Sequence, residues 1–404
     1  MSLAAQLRAL PRPFWILVGA TFVNRFGVFV VPFLALFMTR NGSSPAQAGW
    51  AVAAYSLGGF AAAWLGGWMA DRLGRNVTMA FASIGGAACM LALSQMIDWR
   101  ALTLLAFLTG AVSEAGHPAS VALVQDLVPA ERRILAFAVQ RWAVNLGWSF
   151  GPATAGFLAE HSFLWLFLVD AATSVMFGVV AWLFLPGGKR TPVEEAGWIH
   201  AWRSIRGNRP FLALFGACVC VAWIFRQTNT TFPLHFEKNG LPLHYCGLVL
   251  AMNGILICLF EVPIASGLRR WPVRRVLAAG YVLMGTSYLV FLGSGTLAAF
   301  VAMMVVFTLG EMFAFSRQQA YSASLAPESM RGRYVGFLSL AWCTGNTMSA
   351  AIGMTIYGKD PVAAWIVNAA LGFGAAWVIL ATGRKRGPDR GEIVPDLSAD
   401  EARS

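Results

Sequence analysis

Gly67-Trp68-Met69-Ala70-Asp71-Arg72-Leu73-Gly74-Arg75 stands between two long apolar runs, 46–69 and 77–97. A run of about 20 mostly apolar residues is long enough to cross a bilayer. The charged segment therefore reads as a turn between two membrane spans. Carried along the chain, the same criterion gives twelve spans, roughly 14–38, 46–69, 77–97, 101–123, 134–157, 162–185, 211–235, 246–267, 275–294, 296–317, 333–356 and 361–382. The short alternating segments of a β-barrel are not the pattern here. The spans are rich in Gly and Ala, which let helices approach closely, and scattered Gly and Pro are tolerated in membrane helices.

Composition agrees. Of 404 residues, 57% are hydrophobic and only 12% charged, and mean hydropathy is +0.62. A soluble domain carries about 25% charged residues, so a soluble fold of this size is excluded. Disorder, which needs low hydrophobicity and high charge, is excluded too. The 41 Gly and 18 Pro follow no collagen-like period. Six cysteines, Cys89, Cys218, Cys220, Cys246, Cys258 and Cys343, lie in or beside apolar stretches, with no Cys-x-x-Cys and no Cys/His cluster. They read as packing residues rather than disulfides or metal ligands. The segment from Met1 to Pro13 is short and basic and runs into a span of more than 20 residues, so it reads as the start of an uncleaved first helix.

Lys and Arg give the orientation. With both termini inside, 22 of the 30 fall on the inner side, four on the outer side (Arg40, Arg100, Lys238, Lys359) and four within spans (Arg25, Arg141, Arg226, Arg317). That asymmetry predicts cytoplasmic termini. It accounts for the +11 charge without nucleic acid, through contact with an anionic cytoplasmic leaflet.

The chain divides into halves. A polar stretch, Gly187 to Pro210, separates six spans from six. The expected domains are an N-terminal six-helix bundle (1–186), a cytoplasmic linker (187–210), a C-terminal bundle (211–383) and a cytoplasmic tail (384–404). An amphipathic helix at the membrane interface is expected around Trp198–Ile205. The halves read as copies at an offset of 198: Asn41-Gly42 answers Asn239-Gly240, Gly49 answers Gly247, Arg133 answers Arg331, Gly147 answers Gly345 and Asp170 answers Asn368. Parallel six-helix repeats with the substrate at their interface are one architecture of secondary transporters.

The opening stretch resembles motif A of the major facilitator superfamily, Gly-x-x-x-Asp-Arg-x-Gly-Arg-Lys/Arg, with Asn76 in place of the last basic residue. Gly67 and Gly74 are expected to permit the turn, Asp71 to meet a helix N-terminus, and Arg72 and Arg75 to stay at the inner surface. The corresponding loop of the second half, 267–275, keeps its charge and lacks the Asp. In span five, Gly147-Trp148-Ser149-Phe150-Gly151-Pro152-Ala153-Thr154-Ala155-Gly156 resembles motif C, which that family associates with antiporters, mainly drug/proton exporters. A small-residue face with Pro152 suits tight packing. Val30-Val31-Pro32-Phe33-Leu34 resembles the end of span one in the same branch. The resemblance extends to about residue 382. It implies an all-α fold, twelve transmembrane helices in two pseudo-symmetric six-helix bundles, in a bacterial inner membrane. The Glu-x-x-Glu-Arg signature of proton-coupled peptide importers is missing from span one, which reads Asn24-Arg25.

Ionisable residues within spans are expensive and need a reason. They are Arg25, Glu114, His117, Arg141, Asp170, Arg226, Glu261, Glu311 and Arg317. Glu114 and Glu311 are 197 apart, and Arg25 and Arg226 are 201 apart. Each half thus offers an Arg on its first helix and a Glu on its fourth, and the resemblance puts those helices on the cavity. The expectation is an Arg25–Glu114 pair or network and an Arg226–Glu311 counterpart, which are structural ion pairs or a proton path. A coupling carboxylate must take up and release a proton as its surroundings change. Glu114 and Glu311 are the first candidates and Asp170 the next, unless it caps backbone or pairs with Arg141. His117 is a possible relay. Arg317 snorkels in the alternative reading.

Phe22, Asn24, Phe26, Tyr55, Trp142, Trp223, Gln227, Asn253 and Phe315 are candidates for the cavity wall, which suits amphiphilic or aromatic molecules. The function expected is secondary active transport by alternating access: proton-coupled export of hydrophobic or drug-like small molecules by a monomeric carrier with no cofactor or metal. The rivals are a transporter of a specific metabolite, such as a peptide, lipid or siderophore, and a transport-inactive scaffold or sensor. No covalent catalysis is implied, and no phosphate-binding Gly-x-x-x-x-Gly-Lys-Ser/Thr loop points to an ATP pump.

Overall fold

The computed structural model describes residues 3–129, 132–188, 198–327 and 330–382, and among them helix is the regular structure throughout. Twelve helical columns form two groups of six. The first group is α1 (Arg12–Phe26, continued by Val30–Arg40), α2 (Pro45–Leu73), α3 (Arg75–Ser94), α4 (Trp99–Ser113, continued by Gly116–Leu127), α5 (Arg133–His161) and α6 (Phe163–Phe184). The second is α7 (Arg209–Arg226, continued by Thr231–Lys238), α8 (Leu243–Gly267), α9 (Val273–Ser287), α10 (Leu297–Leu325), α11 (Arg331–Met348, continued by Met354–Lys359) and α12 (Pro361–Ala381).

Among the described residues, nine helices are long and apolar enough on their own to cross a membrane. The other columns are α4, α5 and α11. Their shortfall has local causes. α4 is split at Glu114–Ala115, and α11 is interrupted by a π-turn at Ser349–Gly353. α5 carries Gln140, Arg141 and Asn145 in its middle. Of these three, α4 and α5 bring Glu114 and Asn145 to the space between the bundles.

Polar side chains start several helices. Ser44 accepts from Gln47 N at 3.3 Å and its own N–H donates to the Gln47 side chain at 2.8 Å, a capping box for α2. Asp98 and Asp360 cap α4 and α12 by accepting from Ala101 N and Val362 N. Each such cap satisfies an orphan N–H that hydrocarbon could not.

The 198-residue repeat is visible as repeated geometry. After α1, Asn41 donates its side-chain N–H to Phe37 O at 3.0 Å, and Gly42 follows with φ +88°. After α7, Asn239 donates to His235 O at 2.7 Å, and Gly240 has φ +71°. A left-handed backbone of this kind is cheap only for Gly. Within each half, Gly147 of α5 packs on Arg25 and Phe26 of α1, and Gly345 of α11 packs on Val219 and Trp223 of α7. Between halves, Gly49 of α2 lies against Ala350 and Met354 of α11, and Gly247 of α8 lies against Pro152 and Gly156 of α5. Both bundles meet through the same pair of small-residue surfaces.

The motif-C residues therefore face two ways. Gly147 and Gly151 face the break in α1, and Gly156 faces α8. A Cβ on Gly151 would sit 2.8 Å from Phe26 O, and one on Gly156 would sit 2.6 Å from Leu243 O. Backbone cannot step aside as a side chain can. Gly151→Leu is expected to cost about 1–3 kcal/mol by overpacking and to slow exchange. A well-expressed variant with wild-type melting and wild-type exchange rate would show that this contact is soft.

The helix Trp198–Gly207 forms where an interfacial helix was expected. Its Ile205 is buried against Phe211, Ala326 and Tyr334, so this residue faces the second bundle and not lipid. Ser204 Oγ lies 3.0 Å from Tyr334 Oη. Residues 189–197 of the linker and the tail 384–404 lie outside the described residues.

Candidate functional site

A cavity of about 520 Å³ lies between the two bundles. It is lined from the first half by Asn24, Arg25, Tyr55, Glu114, Asn145 and Asp170, and from the second by Phe225, Arg226, Asn253, Phe307 and Glu311, among others. Two helix breaks build it. α1 is interrupted between Phe26 and Val30, and α7 by a 3-10 turn at Gln227–Asn229. Arg25 and Arg226 occupy the last turn before each break, where the free carbonyls of a helix C-terminus favour a cation.

Asp170 of α6 explains how α1 restarts. Its Oδ2 accepts from Phe29 N at 3.2 Å and Val30 N at 3.3 Å. These are the N–H groups that the break leaves without intrahelical partners. The backbone-capping role is therefore the one that the structure gives Asp170, and Arg141 is not its partner. Asn24 donates to Ser174 Oγ at 3.3 Å on the same side of the break.

The two glutamates have equivalent settings. Tyr55 of α2 donates its hydroxyl to Glu114 Oε1 at 3.2 Å. Asn253 of α8 donates to Glu311 Oε2 at 2.8 Å and to Thr308 Oγ1 at 2.9 Å. Tyr55 and Asn253 are 198 apart in sequence. In each half, then, the second helix bonds the carboxyl of the fourth. The expected Arg25–Glu114 and Arg226–Glu311 pairs do not form as direct contacts. The second-to-fourth contact takes their place, because each Glu projects from its helix toward the close neighbour and the arginines sit on the C-terminal turns of α1 and α7. Glu311 is buried, while Glu114 is half-buried beside the break in α4.

Other sequence candidates are placed elsewhere. His117 is exposed and not part of the cavity wall. Trp142 is 60% exposed and is not among the residues that line the cavity. Phe22 packs on a separate apolar cluster, and Phe26 stacks edge-on with Phe29 at 5.6 Å. Trp223 donates to Asn368 Oδ1 at 3.2 Å, and Gln227 donates to Ser349 Oγ at 3.1 Å; both are buried behind the wall. Phe315 supports the wall through Phe225, at 5.7 Å between centroids. Trp148, Asn145 and Phe307 line the cavity and were not singled out in the sequence. Their alignment with Asn24 and Tyr55 follows from helix rotation, which a single span does not report.

Three ion pairs among the described residues join the halves. Arg141 Nη2 lies 3.4 Å from Glu261 Oε1, Arg40 pairs with Glu237, and His244 Nδ1 lies 2.8 Å from Glu160 Oε1. Glu160 is beyond the 134–157 span. Burial pushes its carboxyl up, but hydrogen bonds from His244 outweigh that and hold it below the usual carboxylate range. Arg317 donates to Ala265 O at 3.3 Å.

The motif-A segment lies at the far end of α2 from these last two pairs. Gly67 stands inside α2 and so is not part of a turn, and a Cβ there would meet open space. Gly74 alone makes the turn, with φ +102°. Arg75 is buried rather than at the surface: its Nη1 donates to Asp71 Oδ1 at 2.7 Å and Ala70 O at 2.6 Å, and its Nε lies 3.4 Å from Asp126 Oδ2. Asp71 thus meets Arg75 and not a helix N-terminus. Arg72 lies over the Trp68 ring, 4.7 Å from its centroid. The backbone N–H of Arg75 donates to Gly187 O at 2.8 Å, which ties the start of the linker to this cluster.

The sequence profile of the Major Facilitator Superfamily matches residues 17–267 and 229–398. The Na(+), Li(+), K(+)/H(+) antiporter of Planococcus maritimus is 28% identical over 400 residues, covering 91% of each chain. The multidrug resistance protein MdtH of Photorhabdus laumondii is 27% identical over 373 residues, covering 88% of this chain and 89% of its own. Among solved structures, a variant of the nucleoside transporter NupG superimposes with a TM-score of 0.80 at 14% identity, over 92% of this chain and all 100% of its own. The peptide transporter POT in complex with sulfate does so with a TM-score of 0.76 at 17% identity, over 92% and 94%. At these identities the two structures speak for the fold alone.

Proposed function

The chain belongs to the Major Facilitator Superfamily, and from that premise we propose that it is a secondary active transporter that exports hydrophobic or drug-like small molecules in exchange for protons. The observation that carries this reading is the cavity between the bundles, with Glu114 and Glu311 in equivalent places on its two sides. A carboxyl at the bundle interface can exchange a proton with whichever face the cavity opens to. The mostly uncharged aromatic wall around Phe225 and Phe307 suits an organic cargo. The multidrug relatives support the export reading. An alkali cation, the cargo named for another relative, would meet Arg25 and Arg226 here as well as the three carboxylates, so the cation reading is kept as an outcome of the test.

The charge asymmetry of the loops supports cytoplasmic termini, and the bacterial relatives support an inner membrane. With that orientation, Arg40–Glu237 and His244–Glu160 bridge the bundles on the outer side. They support an inward-facing state for this structure, with the outer gate shut. Alternating access then requires those pairs to part.

The test is substrate-dependent proton movement. The purified carrier in acid-loaded liposomes with a pH-sensitive dye inside is expected to let protons out, raising the internal pH, when a transported compound is added outside, because exchange carries the compound in as protons leave. Screening hydrophobic drugs, short peptides and monovalent cations in the same assay separates the readings. Proton flux driven by Na(+) or K(+) alone, with none from organic compounds, would replace the drug-like cargo with a cation.

A further inference from the structure

The cavity treats its two kinds of charge differently. Each carboxylate accepts hydrogen bonds from the protein: Glu114 from Tyr55, Asp170 from Phe29 N and Val30 N, Glu311 from Asn253. Neither guanidinium has that service. No carboxylate lies within ion-pair distance of Arg25 or Arg226, since the ion pairs among the described residues involve other cations. Arg226 is the starker case. Its Nε is buried without a hydrogen-bond partner, and Glu311, the carboxylate of its own half, is engaged by Asn253.

A guanidinium is charged at any physiological pH and presents five donors in a planar fork. An ion withdrawn from water without a partner is costly. The helix C-terminus at Arg226 offsets part of that. Arg226 is half-buried on the cavity wall, and no carboxylate among the described residues lies within ion-pair distance of it. Next to it, Phe225 packs on Phe307 at 6.0 Å between centroids, and both line the cavity. Behind Phe225 stand Phe315 and Trp342. A donor fork thus adjoins an aromatic wall, with Arg25 and Tyr55 on the facing bundle.

We propose that Arg226 anchors the anionic group of an amphiphilic organic acid, a carboxylate or sulfonate whose apolar body lies along Phe225 and Phe307. The inference rests on the reading of this cavity as the transport site and narrows its cargo. An oxyanion can take two parallel N–H···O bonds from the fork. It would also neutralise a charge that both bundles share, so binding lowers the electrostatic cost of bringing Arg25 and Arg226 together. A lipophilic cation laid along the same wall would meet Arg226 as a like charge, while the three carboxylates of the cavity already accept hydrogen bonds from the protein.

The experiment uses the full chain in phosphatidylcholine nanodiscs, with no pH gradient. Binding is read by intrinsic tryptophan fluorescence and by thermal shift for three acids, 2-naphthoate, 4-biphenylcarboxylate and decanoate, each beside its amide and its amine. Sodium sulfate and nanodiscs containing phosphatidylglycerol are run in parallel. At least one acid is expected to bind tenfold or more tighter than its amide and amine. Arg226→Gln removes that preference, and Arg226→Lys keeps part of it. The proposal is overturned if no acid outbinds its amide, if sulfate stabilises the carrier as strongly as the acids, or if phosphatidylglycerol alone abolishes the preference, which would make a lipid headgroup the occupant. The wild-type charge series decides the matter even if Arg226→Gln fails to fold. Because no proton gradient is involved, the acid preference can fail while proton-coupled transport stands, and the reverse.

Discussion

Glu311→Gln is expected to abolish uphill, proton-driven transport while leaving downhill movement of substrate intact. The Gln side chain keeps the shape of Glu and can still accept from Asn253, which bonds Glu311 at 2.8 Å, so packing is preserved. It cannot take up or release a proton. If Glu311 carries the coupling proton, the variant reaches only the equilibrium distribution of substrate, and its transport loses dependence on the pH gradient. Glu114→Gln serves as the paired measurement, since Tyr55 holds it in the equivalent place. The non-coupling member should show altered affinity with coupling retained. Burial favours Glu311 as the carrier, because Glu114 is the more accessible of the two. Full uphill transport with unchanged pH dependence in both variants would move the coupling site elsewhere. Asp170 would be examined next, although its bonds to Phe29 and Val30 give it a structural task already.

Arg75→Ala is expected to be the most destabilising single change at the motif-A end, by about 3 kcal/mol. That is the low end of the range for breaking a buried pair. The low end applies because one partner, Asp71, is 30% exposed while Arg75 is only 5% exposed. Removing the guanidinium takes away the cation that lies beside both Asp71 and Asp126 and frees Ala70 O. Thermal unfolding in detergent should show the loss, with Arg75→Lys intermediate because an ammonium cannot span both carboxylates as the fork does. Asp71→Asn is the milder companion. It keeps the fold and ligand binding but slows the transport cycle, since it weakens the cluster that holds α2, α3 and the start of the linker together. Melting of Arg75→Ala within experimental error of wild type would mean that water already solvates the cluster and that it holds nothing in place.

The breaks in α1, α4 and α7 show why part of the site was illegible in the sequence. Hydropathy reads straight through Gly27, Glu114 and Gln227, because each break spans only a few residues inside an apolar run. Yet these breaks expose the backbone groups that Asp170 caps and set Arg25 and Arg226 on helix ends. Pairing Arg with Glu from their offsets was reasonable chemistry but assumed that proximity follows from repeat position. The partner of each Glu is instead fixed by how closely two helices approach. Gly58, Gly59 and Gly110 bring α2 against α4, and that closeness hands Glu114 to Tyr55. Among the aromatics, Trp142 and Phe225 look alike in sequence, but one is 60% exposed and the other lines the cavity.

By itself the sequence determined that this chain crosses a membrane many times, that it is two related six-span halves, and that one short charged loop and one small-residue span carry a family pattern. Those conclusions follow from quantities that are local sums or direct matches: apolar length, charge count and residue spacing. The tertiary structure alone decided that Asp170 caps a broken helix, that Tyr55 and Asn253 hold the two glutamates, that Arg75 is a buried hub and that no carboxylate among the described residues pairs with Arg226. Each of these depends on the rotation of a helix about its axis and on where it breaks. Rotation and breaks are set by the packing of one helix on another, which no single span encodes.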